Sequence, residues 1–207
     1  MGKKYELTEE TKEFYGRTLY RIKALKDFGD VEVGDLGGYI ESESNLMQEG
    51  CAWVYGNAMV YGSARVCDNA KVYGDAKVCD NAEVHANAKV FGNANVYGDA
   101  MVLGSADVCG SANVYGSANV YGYADVRGDA EIKGKTDYIV FKNWWSSGRY
   151  FTWTRSNNMW KVGCFYGTGK ELVEKAYKDS ELSGREYERV VKYVESILAD
   201  EKKQRKQ

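Results

Sequence analysis

The sequence predicts a mainly β chain: a parallel solenoid between an N-terminal β cap and a C-terminal β-β-β-α-α module. Three observations point there. From Ala52 to Gly134 a branched aliphatic recurs every six residues, from Val54, Val60 and Val66 through to Val126 and Ile132, with alanine two residues before each. Each hexad divides into an alternating Ala-x-Val-x tetrad, which sends Ala and Val to one side, and a Gly-Asn, Gly-Asp, Gly-Ser or Asp-Asn turn that tolerates positive φ. Ala86-Asn87 is the place where the first turn residue is neither Gly nor Asp. After Gly134 the period stops, and a tryptophan-rich stretch gives way to two stretches of helical period.

A strand and turn this short cannot hold a hairpin ladder in constant register, because valine would alternate between core and solvent. Stacked parallel coils keep every valine in one interior, and a sequence period of this length signals a solenoid. The aliphatic with a small residue four places later, as in Val54 and Ala58, resembles the hexapeptide repeat of left-handed parallel β-helices, the transferase hexapeptide superfamily. The resemblance implies three hexads per coil, eighteen residues, in a triangular prism. It alone supplies the left hand, since the general crossover rule favours right-handed connections. The family's usual glycine follows the aliphatic directly, whereas here it stands one place later, at Gly56, Gly62 and Gly74.

Residues 1–37 precede the repeat. YELTEE and RTLYRIKAL read as strands around a turn at Glu13 to Gly16, and DFGDVEVGDLGG reads as a loop. This segment is expected to cap the open end of the coil, which would otherwise expose apolar cross-section and unpaired strand edges. The solenoid is placed at 38–135. Ile40 and Leu46 already keep its spacing, and two extra residues fall near Gln48 to Gly50. The terminal module is placed at 136–207. Residues 137–166 read as three strands with turns at Ser146 to Gly148 and Ser156 to Asn158. A helix then follows Gly167 to Gly169, and a second carries Tyr187, Val190, Val191, Val194, Ile197 and Leu198 on one face.

With eighteen residues per coil, Cys67, Cys79 and Cys109 lie on three different faces, and they are read as half-buried hydrophobes of a reducing compartment. The residue after each valine forms a column up each face. One column reads Tyr55, Tyr73, Phe91, Cys109, Arg127; another Tyr61, Cys79, Tyr97, Tyr115, Lys133; the third Cys67, His85, Leu103, Tyr121. Stacked rings stabilise a regular β-surface. The same stripe (Tyr55, Tyr73, Phe91, Tyr61, Tyr97, Tyr115) is an oligomer face, with the trimer implied by the resemblance as the leading option. His85 is the single histidine. It sits inside a repeat with no inserted loop and no orienting carboxylate at motif spacing, so no catalytic residue is assigned. No metal site or cofactor is expected.

Net charge is −2 but unevenly spread. Residues 133–170 hold seven Lys and Arg against Asp137, in the segment that also holds Trp144, Trp145, Trp153 and Trp160. Aromatics interleaved with cations suit stacking on nucleotides or single strands. Trp144, Trp145, Arg149, Phe151, Trp153, Arg155 and Lys161 are therefore the candidate binding residues. No apolar run is long enough to span a membrane, and MGKKYELTEE lacks the apolar core of a signal peptide, so a cytoplasmic setting is expected.

The layout is also similar to hexapeptide-repeat proteins of bacteriophages and prophages, on the YRIKALKDFGDVEVGDLGGYIE opening, the VYGNA-type repeats, and the YIVF and GCFYGT segments. Three functions are weighed. The first is a non-enzymatic binding or scaffold protein, with the solenoid as oligomerisation core and the terminal module as recogniser. The second is a phage anti-defence protein, in the host cytoplasm, that sequesters a nucleotide signal or binds a host defence protein. The third is an acyltransferase using an acyl-coenzyme A donor, which rests on the repeat alone. The expected partners are further copies of the chain and a host protein or nucleotide-like anion. Duplex DNA is not expected.

Overall fold

In a computed structural model of the chain, which describes residues 2–204, the hexads form fourteen two-residue strands, β4 (Trp53–Val54) through β17 (Glu131–Ile132). They stack in three parallel sheets, so the solenoid has three walls. Val54 pairs with Val72, Val60 with Val78 and Val66 with Val84, an eighteen-residue coil. Ile40 pairs instead with Val60, and Leu46 with Val66. The first coil is thus two residues longer, which absorbs the insertion read near Gln48 to Gly50. Backbone bonds run coil to coil with little variation, as in Lys71 N–H to Ala88 O (3.0 Å), Tyr73 N–H to Val90 O (3.0 Å) and Asp75 N–H to Gly92 O (2.8 Å). Every repeat valine from Val54 to Val126, and Ile132, is fully buried, and the alanines beside them are at most 1% exposed. The turns take the left-handed conformation, including at the non-glycines Asp68, Asp80 and Ala86 (φ +59°, +60°, +60°).

The N-terminal segment extends one wall. Strands β1 (Tyr5–Phe14) and β2 (Arg17–Ala24) form an antiparallel hairpin. β2 pairs with β3 (Leu36–Ile40), which joins the parallel wall at β5 (Met59–Val60). The open end of the coil is filled by Tyr5, Ile22, Ala24, Val31 and Trp53. Gly38 is hemmed in there, since a Cβ would come within 2.6 Å of Ala58 O. The Tyr5 hydroxyl donates to Leu46 O (2.6 Å). Lys4 is fully buried. Its ammonium donates to Ala52 O (2.9 Å) and lies 5.0 Å from the Phe28 ring centre, and burial lowers its pKa to about 8.

The far end closes differently. Strands β18 (Tyr138–Lys142), β19 (Tyr150–Thr154), β20 (Met159–Val162) and β21 (Phe165–Gly167) form an antiparallel sheet, one short strand more than the spacing suggests. Its side chains take the backbone donors that would otherwise meet a further coil. Asp125 N–H donates to Thr152 Oγ1 (2.9 Å), Glu131 N–H to Ser156 Oγ (2.7 Å) and Lys133 N–H to Asp137 Oδ2 (2.8 Å). Helices α1 (Gly169–Asp179) and α2 (Glu181–Gln204) cover the sheet's other face. A second core of Phe151, Trp153, Trp160, Val162, Leu172, Val191 and Val194 lies between them. Thr168 caps α1 with a reciprocal bond to Glu171. Among the described residues no helix is long and apolar enough to cross a membrane.

Candidate binding surfaces

Strand alternation puts Phe151, Trp153 and Arg155 on one face, but that face is the one the helices cover. Phe151 is fully buried and Trp153 is 1% exposed, and the Trp153 indole donates to Asn158 Oδ1 (2.9 Å). Rings of this size release enough apolar area on burial that the sheet packs them against α1 and α2 instead of presenting them. Arg155 is bound to Glu201 of α2 through both oxygens (2.6 and 3.1 Å) and to Thr136 O (2.9 Å). Lys161 points the other way, beneath the sheet, 3.8 Å from Asp125. Trp144 and Trp145 lie in the turn after β18. Trp145 packs against Phe151 and Tyr187 (6.0 and 6.2 Å between ring centres). Burial thus corrects the reading of Phe151 and Trp153 as a ligand platform, and structural pairing engages Arg155 and Lys161. Trp144, 82% exposed, and the exposed Arg149 remain open to solvent.

The predicted ring columns exist as ladders. Tyr73 stacks on Phe91 (4.7 Å, 4°) and Tyr97 on Tyr115 (5.2 Å, 5°). Tyr55 meets Tyr73 edge-on (6.4 Å), and its hydroxyl donates to Asp30 Oδ1 (2.8 Å), which also accepts from Lys71. Tyr61 is covered by Phe14 of the N-terminal hairpin (5.6 Å). All six rings are half-buried within one chain.

His85 has a neighbour that linear spacing hides. Stacking places Asp68 one coil above, with Oδ2 4.0 Å from His85 Nδ1. That carboxylate oxygen already accepts Ala86 N–H (2.9 Å), and 4.0 Å exceeds a hydrogen bond. Cys67 stands above His85 in the same column, and burial raises its thiol. Burial also pushes the Cys109 thiol up to about 11, so neither supplies a thiolate nucleophile at neutral pH. Among the described residues no three His, Cys, Asp or Glu side chains converge as metal ligands.

Two exposed rings, Tyr121 and Tyr123, lie where the last coil meets the terminal sheet. A cavity of about 540 Å³ there is lined by Asn119, Tyr121, Tyr123, Lys135, Tyr138 and Tyr150, with Gly122 and Val140. Tyr121 and Tyr123 are 59% and 55% exposed. Tyr123 stacks on Tyr150 (4.4 Å, 16°), and the Lys142 ammonium lies 5.8 Å from the Tyr150 ring centre. The Tyr138 hydroxyl donates to Asn119 O (2.9 Å) and fixes that wall. Asn119 Oδ1 is buried with no hydrogen-bond partner. Sequence reasoning passed over this site, although a signal was present. Among the fourteen turns, only Gly122-Tyr123 and Gly134-Lys135 carry a second residue other than Asn, Asp or Ser, and both of those residues line the cavity.

Residues 52–68, one coil, match a family model described as the YdcK Beta solenoid repeat. Over 61 residues the chain is 39% identical to a protein named "Uncharacterized acetyltransferase YdcK" from Escherichia coli (strain K12), covering 26% of this chain. The match spans 19% of the relative's length. Both findings fit a hexapeptide-repeat β-solenoid.

Proposed function

We propose that the chain is a binding protein in which the solenoid is a rigid spacer and the tyrosine-lined cavity at its C-terminal end is the recognition surface. The carrying observation is the convergence, at one concave place, of exposed tyrosines, a buried acceptor without a partner, and Lys135. Cavities of this size with a few convergent polar groups are where small ligands bind. Self-association through the ring ladders belongs to the same proposal. So does the phage setting taken from the sequence resemblance, in which the ligand or partner is a host component.

A second reading, acetyl transfer, is favoured by the relative's name and by the Asp68 carboxylate beside His85. In it His85 would take a proton from the acceptor, with Asp68 closing to hydrogen-bond distance to orient the ring. Two measurements separate the readings. A thermal-shift screen across small-ligand classes should find one that stabilises the wild-type chain and loses its effect in Tyr123→Ser. Release of coenzyme A from acetyl-coenzyme A with amine or hydroxyl acceptors, abolished by His85→Ala, would overturn the binding reading in favour of the second.

A further inference from the structure

The same cavity also says what kind of ligand fits it, an inference that rests on the reading above. Its walls are aromatic, and the exposed rings of Tyr121 and Tyr123 offer surface on which a planar group can stack. Asn119 contributes an acceptor that nothing in the chain satisfies, and buried polar groups are as a rule partnered. That oxygen is closed off from solvent as it stands, so a ligand N–H meets it once the Asn119 amide turns toward the cavity. The charged lining of the cavity has one sign, and the neighbouring Asp137 carboxylate is taken up by Lys133 N–H and Gly134 N–H. Lys135 lines it and Lys142 lies by Tyr150. No Asp or Glu is among the lining residues, and neither lysine has a carboxylate partner among the described residues.

We propose that the cavity binds a nucleoside phosphate. The base stacks on Tyr121 or on the Tyr123–Tyr150 pair, a ring or exocyclic N–H meets Asn119 Oδ1, and the phosphate meets Lys135 and Lys142. A neutral sugar could use the rings and the amide but leaves both lysines without a role. The arrangement therefore favours an anion carrying a flat, donor-bearing ring.

The test is calorimetric titration with AMP, GMP, CMP and UMP, at about 50 mM and about 150 mM salt. Adenosine, pyrophosphate and maltohexaose serve as comparison probes. The variants are Tyr123→Ser, which restores the usual turn residue, and the double variant Lys135→Glu with Lys142→Glu, each checked for an unchanged thermal melt. The expected result is binding of at least one mononucleotide, weaker at the higher salt. Each variant should weaken it by at least about tenfold, and adenosine and pyrophosphate should each bind more weakly than the nucleotide. No mononucleotide binding at low salt, or binding indifferent to both variants, overturns the proposal, as does pyrophosphate binding as tightly as the nucleotide. Maltohexaose binding that Tyr123→Ser abolishes, without nucleotide binding, overturns the ligand class and leaves the cavity as the recognition surface. If no probe responds to Tyr123→Ser, the ligand class fails and the reading of the cavity fails with it.

Discussion

The two ends of the solenoid solve one problem by opposite means. At the N-terminal end the chain inserts side chains into the open coil, with Tyr5 and Lys4 bonded to Leu46 O and Ala52 O, and it prolongs one wall as a hairpin. A cavity of about 560 Å³ does lie there, but Phe28 is the one ring in its lining, which is otherwise Lys3, Lys26, Asp27, Gln48, Glu49 and glycines. At the C-terminal end a separate sheet is laid across the last coil and joined to it by Thr152, Ser156 and Asp137 side chains. Side chains bridging two layers meet only where they reach, and the cavity lies where they do not. Closure by insertion buries the rings that make it, Tyr5 and Trp53, whereas closure by apposition leaves Tyr121 and Tyr123 exposed beside the seam.

The scale for breaking this comparison is set between the ends. Val90→Asp puts an unpaired carboxylate into a fully buried position and should cost about 4 kcal/mol or more. Lys89→Asp, exposed on the next position outward, should stay within about 0.5 kcal/mol. Denaturant melts of the pair check this, and equal midpoints would refute the inward and outward assignment. Tyr5→Ala should cost about 3–5 kcal/mol, as truncating a large buried ring does, and urea unfolding reads it directly.

The pH dependence sharpens the same end. Lys4 has a folded pKa lowered to about 8, below that of the unfolded chain, so the unfolded state holds the proton more tightly. Between pH 8 and the ordinary lysine value, stability therefore rises with pH. From about pH 7 to about pH 10 the wild type should gain about 2 kcal/mol relative to Lys4→Met, measured as the difference between their urea unfolding free energies. A difference that stays flat would show that the ammonium is not penalised by burial. Of the two ends, the apposed one should show the smaller effect. Thr152→Val removes the acceptor for Asp125 N–H and should cost about 1–2 kcal/mol. If it matched Tyr5→Ala, the two closures would be energetically alike and the comparison would fail.

How far the sequence could be read follows from what decides each side chain's place. In the solenoid position decides, because residue i meets residue i+18, so the inward valines and the first coil's insertion were legible from spacing, and the three columns once the family resemblance supplied the eighteen-residue coil. In the terminal module neighbours decide. Alternation grouped Phe151 with Trp153 correctly, but only the packing of α1 and α2 determines that their shared face is interior. The cavity draws on 119–123, 135–140 and Tyr150, segments whose meeting depends on how the sheet sits on the coil. Asp68 and His85 are neighbours through stacking, invisible to a local motif, although the column that sets Cys67 over His85 already brings Asp68 within one residue of it. Tyr123 and Lys135 were visible as breaks in the turn pattern, without a partner to give the breaks meaning.

The coil-to-coil register makes the repeat a ruler and a dial at once. Inserting eighteen residues adds one coil and lengthens the molecule by about 4.8 Å, while the terminal sheet meets the same kind of edge it meets now. Inserting six would instead index the terminal sheet onto the next wall, about a third of a turn around the axis. The donors of the last coil would recur in the same order, so Thr152, Ser156 and Asp137 would find equivalent partners. Descendants of this sequence could therefore aim the C-terminal sheet in three directions, and set its distance from the N-terminal hairpin, by changing the number of hexads alone.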